Sequence, residues 1–135
     1  MAGSLLDSFP LIESQRENIL HCIRSHRFRG KGKPESIEAK VLFDADKLDA
    51  IGAIGVARAF LFAGEVGARL HNAEANFSET VSYSREDTGY REYHIKLRKI
   101  HERMLTDTGK AMAAERHRFM VHFFDRFLEE HLGER

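Results

Sequence analysis

Apolar residues in this chain recur at three- and four-residue spacing far more often than they alternate, so the pattern is helical along most of its length. Five segments read as helices. The first covers 14–26 and opens on Ser14 with Glu17 three residues later, the spacing of a capping box. The second begins at Pro34, which suits a first helical turn, and carries an acidic run to about Leu48. The third, 49–66, is rich in Gly and Ala, and Gly52, Gly55 and Gly64 favour close packing against neighbours. Two long amphipathic helices follow over 90–106 and 108–132; the last carries Met112, Phe119, Met120, Phe123, Phe124, Phe127 and Leu128 at apolar positions. Before them, 67–89 mixes Asn72, Asn76, Ser78, Ser82, Ser84 and Asp87 with isolated apolar residues, and is expected to be irregular and mobile. No internal repeat is visible. The predicted fold is all-α, a bundle of about five helices in a single domain over 1–135.

The second helix holds the candidate chemistry. At about 100° per residue, Ile37, Val41, Ala45 and Leu48 form one apolar stripe. Asp46 lies roughly opposite, yet its angular neighbours are Ala39, Leu42, Phe43 and Ala50. A helix apolar nearly all round is buried, so Asp46 is expected to point into an apolar or ligand-lined space. Asp44 and Asp49 fall on the flanks, where solvent, Lys40, Lys47 or a neighbouring Arg would satisfy them. A buried carboxylate needs a metal, an Arg or a raised pKa. On geometry alone, structural pairing and a functional role for Asp46 stay equally open.

Charge narrows the partners. Lys and Arg total 21 against 21 Asp and Glu, so no global field favours nucleic acid or an anionic membrane. A local exception is the run holding Arg24, Arg27, Arg29, Lys31 and Lys33 with Gly30 and Gly32 between, which reads either as a phosphate-binding loop or as a solvated basic one. Aromatic interleaving there is limited to Phe28, so nucleic-acid recognition is not expected. His94, His101, His117 and His122 lack the i, i+4 spacing of a helical zinc pair and read as exposed or core-edge residues. The single cysteine, Cys22, reads as a core thiol and fits a reducing compartment. No secretory leader and no membrane-length apolar run occurs, which predicts a cytoplasmic protein.

The run Phe43-Asp44-Ala45-Asp46-Lys47-Leu48-Asp49-Ala50-Ile51-Gly52 resembles the last metal-ligand segment of HD-domain metal-dependent phosphohydrolases, especially a branch of small, poorly characterised bacterial members. Residues 53–58 share that branch's Ala-Ile-Gly-Val-Ala-Arg, residues 23–28 resemble its His-containing segment, and 106–110 with 114–120 resemble its C-terminal helix. Individually modest, these motifs occur together and in order from about Glu17 to Glu130.

The resemblance implies a helical HD fold, Asp46 as the final ligand of a divalent metal (Mn, Fe, Co, Ni, Zn or Mg), and chemistry in which that metal activates water and polarises a phosphoryl oxygen. The family's His-Asp doublet occurs nowhere in these residues, and its first helices, which would precede Leu11, are not represented. The leading expectation is therefore an HD-like binding or assembly protein without most of the metal motif. It would keep a residual anion or nucleotide-phosphate pocket from Arg27, Arg29 and Lys47. The alternative is a metal-dependent phosphohydrolase of a nucleotide or related ester, with Asp46 and Lys47 at the reacting centre and His26 and His21 as further metal ligands. A folded but functionless fragment is a third reading. Left uncovered, the Ala39, Leu42, Phe43 face and the Phe-rich last helix would form a large apolar patch, which predicts a homodimer.

Overall fold

A computed structural model describes residues 2–27 and 32–134. Among them are α1 (Ala2–Leu6), α2 (Glu13–Ser25), α3 (Ile37–Leu48), α4 (Gly52–Glu65), α5 (Gly89–Ile95), a 3-10 helix (Leu97–Arg103) and α6 (Asp107–Leu132), and no strand. The all-α expectation holds. None of the helices is long and apolar enough to cross a membrane.

Side-chain caps set three of the starts. Ser36 Oγ accepts the Ala39 N–H at 3.2 Å, Thr88 Oγ1 the Arg91 N–H at 3.0 Å, and Thr106 Oγ1 the Gly109 N–H at 3.0 Å. The acidic helix thus begins after Ser36 and not at Pro34. The expected Ser14–Glu17 box does not form either. Ser14 already lies inside α2, and Gln15 Oε1 instead reaches back to accept the Ile12 N–H at 3.2 Å. The short α1 was not anticipated; Arg16 ties it to α2 through the Gly3 carbonyl and Asp7.

Helix α6 is the spine. Its Ala113, Met120 and Phe124 are buried at three- and four-residue multiples and meet Leu48, Ile51, Val56, Ala59, Tyr90, Tyr93, Leu97, Ile100 and Met104 in one core. Tyr93 stacks on Phe124 with centroids 4.1 Å apart, and Phe60 of α4 touches the rings of Phe123, Phe124 and Phe127. Between α3 and α4 the chain turns within a few residues. Gly52 takes φ +77°, and a Cβ on Gly55 would run into the Ala50 carbonyl, so both positions require glycine.

The helix expected over 90–106 is divided. The break falls at Lys96, with φ −135° and ψ −59°, after which a tighter 3-10 turn continues. Tyr90, Tyr93, Leu97, Ile100 and Met104 stay on the core side across the break, so apolar spacing alone could not reveal it. The stretch before α5 is irregular as expected, but Asn72, Asp87 and Thr88 turn inward. Asn72 Nδ2 donates to the Glu86 carbonyl at 2.9 Å and its Oδ1 accepts from Thr88 Oγ1 at 2.6 Å. Asp87 and Arg91, with side chains 7% and 5% exposed, pair at 2.6 Å.

Candidate functional site

Helix α3 packs on α2 with one side and on α6 with another. This choice decides the fate of its carboxylates. Ala39, Asp44, Lys47 and Leu48 are buried, whereas Ile37, Val41, Leu42, Ala45, Asp46 and Asp49 face outward. The apolar stripe expected to be the core face is therefore largely exposed; only Leu48 of it is buried.

Asp44, expected at the solvent flank, is the carboxylate that the fold encloses. Its oxygens accept from the Leu105 N–H at 2.8 Å, the Thr106 N–H at 2.8 Å and the Thr106 hydroxyl at 2.7 Å. Since Thr106 Oγ1 in turn caps α6, Asp44 pins the end of α3 to the start of the spine. A Cβ on Gly109 would sit on the Asp44 carboxylate, so glycine is needed for the approach.

Asp46 does not enter an apolar space. Its side chain is 50% exposed and its Oδ2 lies 2.6 Å from Lys47 Nζ. Lys47 is the buried member: only 6% of its side chain is exposed, its ammonium donates to the His26 carbonyl at 3.2 Å, and it stands 4.4 Å from the centre of the Phe43 ring. An ammonium so enclosed is tolerated because a carboxylate, a carbonyl and a π face compensate it. Tertiary structure thus gathers Asp46, Lys47 and His26 at the junction of α2 and α3, with Arg27 exposed beside them. Arg29 lies outside the described residues.

Both histidines of this junction make one ring hydrogen bond to the backbone. His21 Nε2 accepts the Glu35 N–H at 3.0 Å, and His26 Nδ1–H donates to the Ile23 carbonyl at 2.8 Å. Among the described residues no group of three or more His, Cys, Asp or Glu side chains could hold a metal ion. Asp46, His26 and His21 as placed here do not fit a divalent metal centre. The Asp46 oxygen is turned to an ammonium, and His21 spends its unprotonated nitrogen on the Glu35 N–H, which leaves His26 Nε2 without a second ligand beside it.

One neighbour escaped the sequence reading. Arg58 of α4 folds back onto Asp49, donating from Nη1 to both the side chain and the backbone carbonyl at the end of α3. They are nine positions apart in sequence, and the turn at Gly52 brings them together. Acid and base flanking a Gly-rich turn were the available signal.

No protein-family model matches the sequence. The uncharacterized protein YpgQ of Bacillus subtilis is 40% identical over 119 residues, which is 85% of this chain and 52% of that protein. This chain therefore spans about half the length of the curated relative it matches. The crystal structure of YpgQ superposes with a TM-score of 0.73 at 36% identity, covering 96% of this chain and 61% of that one. YpgQ in complex with ADP gives 0.71 at 36% identity over 95% of this chain and 58% of that one. An HD-superfamily hydrolase from Bacillus thuringiensis gives 0.75 at 30% identity over 94% and 58%. Spacing of helices, order of elements and these likenesses agree: the chain has the helical fold of HD-superfamily hydrolases.

Proposed function

We propose that this chain binds a phosphorylated, nucleotide-type ligand at the junction of α2 and α3, as a binding or assembly module and not as a catalyst on its own. The observation that carries this reading is its likeness, over 95% of its length, to a protein solved in complex with ADP. Local chemistry supports it. Arg27 stands exposed next to the carbonyl that receives Lys47, and a guanidinium fork suits two phosphate oxygens. A phosphate oxygen meeting Lys47 would take the place of the half-exposed Asp46 carboxylate. Arg29 belongs to the same proposed cationic loop.

A metal-dependent phosphohydrolase is the second reading, favoured by the hydrolase likeness. Because Asp46, His26 and His21 do not meet around a common point, a metal would need ligands from outside the described residues. The same proposal makes the chain a homodimer. Ile37, Val41 and Leu42, which are 63%, 53% and 40% exposed, supply an apolar face on α3 for a second copy.

Calorimetric titration with ADP, with and without Mn, tests the reading on wild type, Arg27→Ala and Asp46→Ala. Saturable binding without metal, weakened about tenfold by Arg27→Ala, is expected. Near-stoichiometric bound metal in wild type that Asp46→Ala abolishes would instead favour the hydrolase. Absence of ADP binding under both conditions would refute the nucleotide reading. Sedimentation velocity on wild type and Val41→Glu checks the dimer.

A further inference from the structure

A cavity of about 420 Å3 opens on the other side of the α3–α4 turn, between α4, the irregular loop and the α5–3-10 junction. Aromatic and cationic groups line it together with two carboxylates, Asp87 and Glu92, each of which is paired with a cation of its own. Phe62 and Tyr83 present aromatic surface, their rings meeting edge to face at 5.6 Å. Arg58 and Lys96 place two cations on the same cavity.

Tyr83 is held there against its own preference. Its φ of +59° makes it the one non-glycine residue in the left-handed region among the described residues, a conformation that costs an aromatic side chain of order 1 kcal/mol or more. Its neighbours impose it. The Tyr83 N–H donates to Asp87 Oδ2 at 2.7 Å, and Asp87 is locked by the buried pair with Arg91. The Arg91 guanidinium also reaches Thr80 Oγ1, the Thr80 carbonyl at 3.2 Å and Ser82 Oγ at 3.4 Å. A buried ion pair thus fixes 80–83 in a shape that leaves Tyr83 74% exposed over the cavity. Burying the ring would be the ordinary outcome, and nothing in the packing of the core needs it outside.

The cations are available. Arg58 is paired with Asp49 and Lys96 with Glu92, but in the first pair both side chains are more than half exposed, and in the second the lysine is. Exposed pairs of this kind contribute about 0–1 kcal/mol. A phosphate, with higher charge and several acceptor oxygens, outcompetes a single solvated carboxylate for a guanidinium. Lys96 sits at the helix break, its ammonium on Glu92 one turn earlier. Arg58 is anchored from below by the Asp49 carbonyl at 3.3 Å.

We infer that this cavity is a separate site for an aromatic phosphate ester of nucleotide type: Tyr83 and Phe62 hold the planar base, and Arg58 with Lys96 hold the phosphate. The site is distinct from the α2–α3 junction, and shares with the function proposed above only the class of ligand. It uses no metal and performs no bond-making step.

The test is an amide-resolved NMR titration of the full chain with three probes: ADP, adenosine and inorganic pyrophosphate. Tyr83→Gly removes the ring while keeping a residue at ease with the left-handed backbone, so the loop retains its shape. ADP and adenosine should shift the amides of residues 58, 62, 83 and 96, and Tyr83→Gly should weaken both about tenfold while leaving pyrophosphate within twofold. The Arg58→Ala/Lys96→Ala double variant should do the reverse, weakening ADP and pyrophosphate but not adenosine. Shifts confined to residues 26, 27, 46 and 47, insensitive to Tyr83→Gly, would overturn this site and leave the junction reading standing. Shifts at residues 58, 62, 83 and 96 that Tyr83→Gly leaves unchanged would also overturn it, since the ring would then be idle. No shift anywhere with ADP would overturn both.

Discussion

Replacing Asp44 by Ala removes the common acceptor of three hydrogen bonds from Leu105 and Thr106. A hydrogen bond to a charged group is worth roughly 1.5–3 kcal/mol, and the three share one carboxylate, so they sum less than additively. The expected loss is about 3–5 kcal/mol, below the additive sum of three such bonds because they share one acceptor. Domains of this size hold about 5–15 kcal/mol in all. With a urea m-value of about 2 kcal/mol/M, the midpoint should fall by about 2 M. Asp44→Asn keeps one carbonyl acceptor and should fall between. Urea unfolding followed by far-UV circular dichroism reads both values. Asp49→Ala is the control, because Asp49 and its partner Arg58 have side chains 65% and 60% exposed and should lose under about 1 kcal/mol. If Asp44→Ala and Asp49→Ala unfold within about 1 kcal/mol of each other at equal m-value, Asp44 does not pin α3 to α6 and the account of this helix is wrong.

Arg91→Met leaves Asp87 buried without its ion partner, so urea unfolding should show a loss of about 3–5 kcal/mol, part of which Asp87→Leu in the same chain recovers. Gly109→Ala gains about 1 kcal/mol of helix propensity, yet its methyl would meet the Asp44 carboxylate; a net loss of about 1–3 kcal/mol in the same assay is expected. Burial, then Arg98, hold the His94 imidazole below its ordinary value against Asp125, and burial, then His101 and Arg98, do the same to His117 against Glu102. The unfolded chain then binds more protons, so this stabilisation is complete above the ordinary histidine pKa and is lost as pH falls through the depressed values; unfolding free energy measured between pH 8 and 5 should decline less steeply in His117→Gln.

Helical content was determined by the sequence itself. Local spacing and capping chemistry act within a few residues, so α2, α3, α4 and α6 lie close to where the apolar pattern puts them. The same locality explains the misses. Whether 90–106 runs straight or breaks at Lys96 is invisible to a pattern that both geometries satisfy. Polar residues of 67–88 signal a loop, but that Asn72, Asp87 and Thr88 turn inward depends on partners that sequence proximity does not identify.

The candidate site divides along the same line. That this apolar helix would enclose a carboxylate was legible in Asp44, Asp46 and Asp49. Which of them is enclosed was not, because a helix apolar nearly all round can present any face to its neighbours. Asp44 is buried by donors 61 and 62 residues further along the chain, and Lys47 is compensated by a carbonyl 21 residues earlier. Helix propensity is a property of neighbours in sequence. Burial of a charge is a balance of desolvation against partners brought from afar, and only the packing of α3 between α2 and α6 determines those partners.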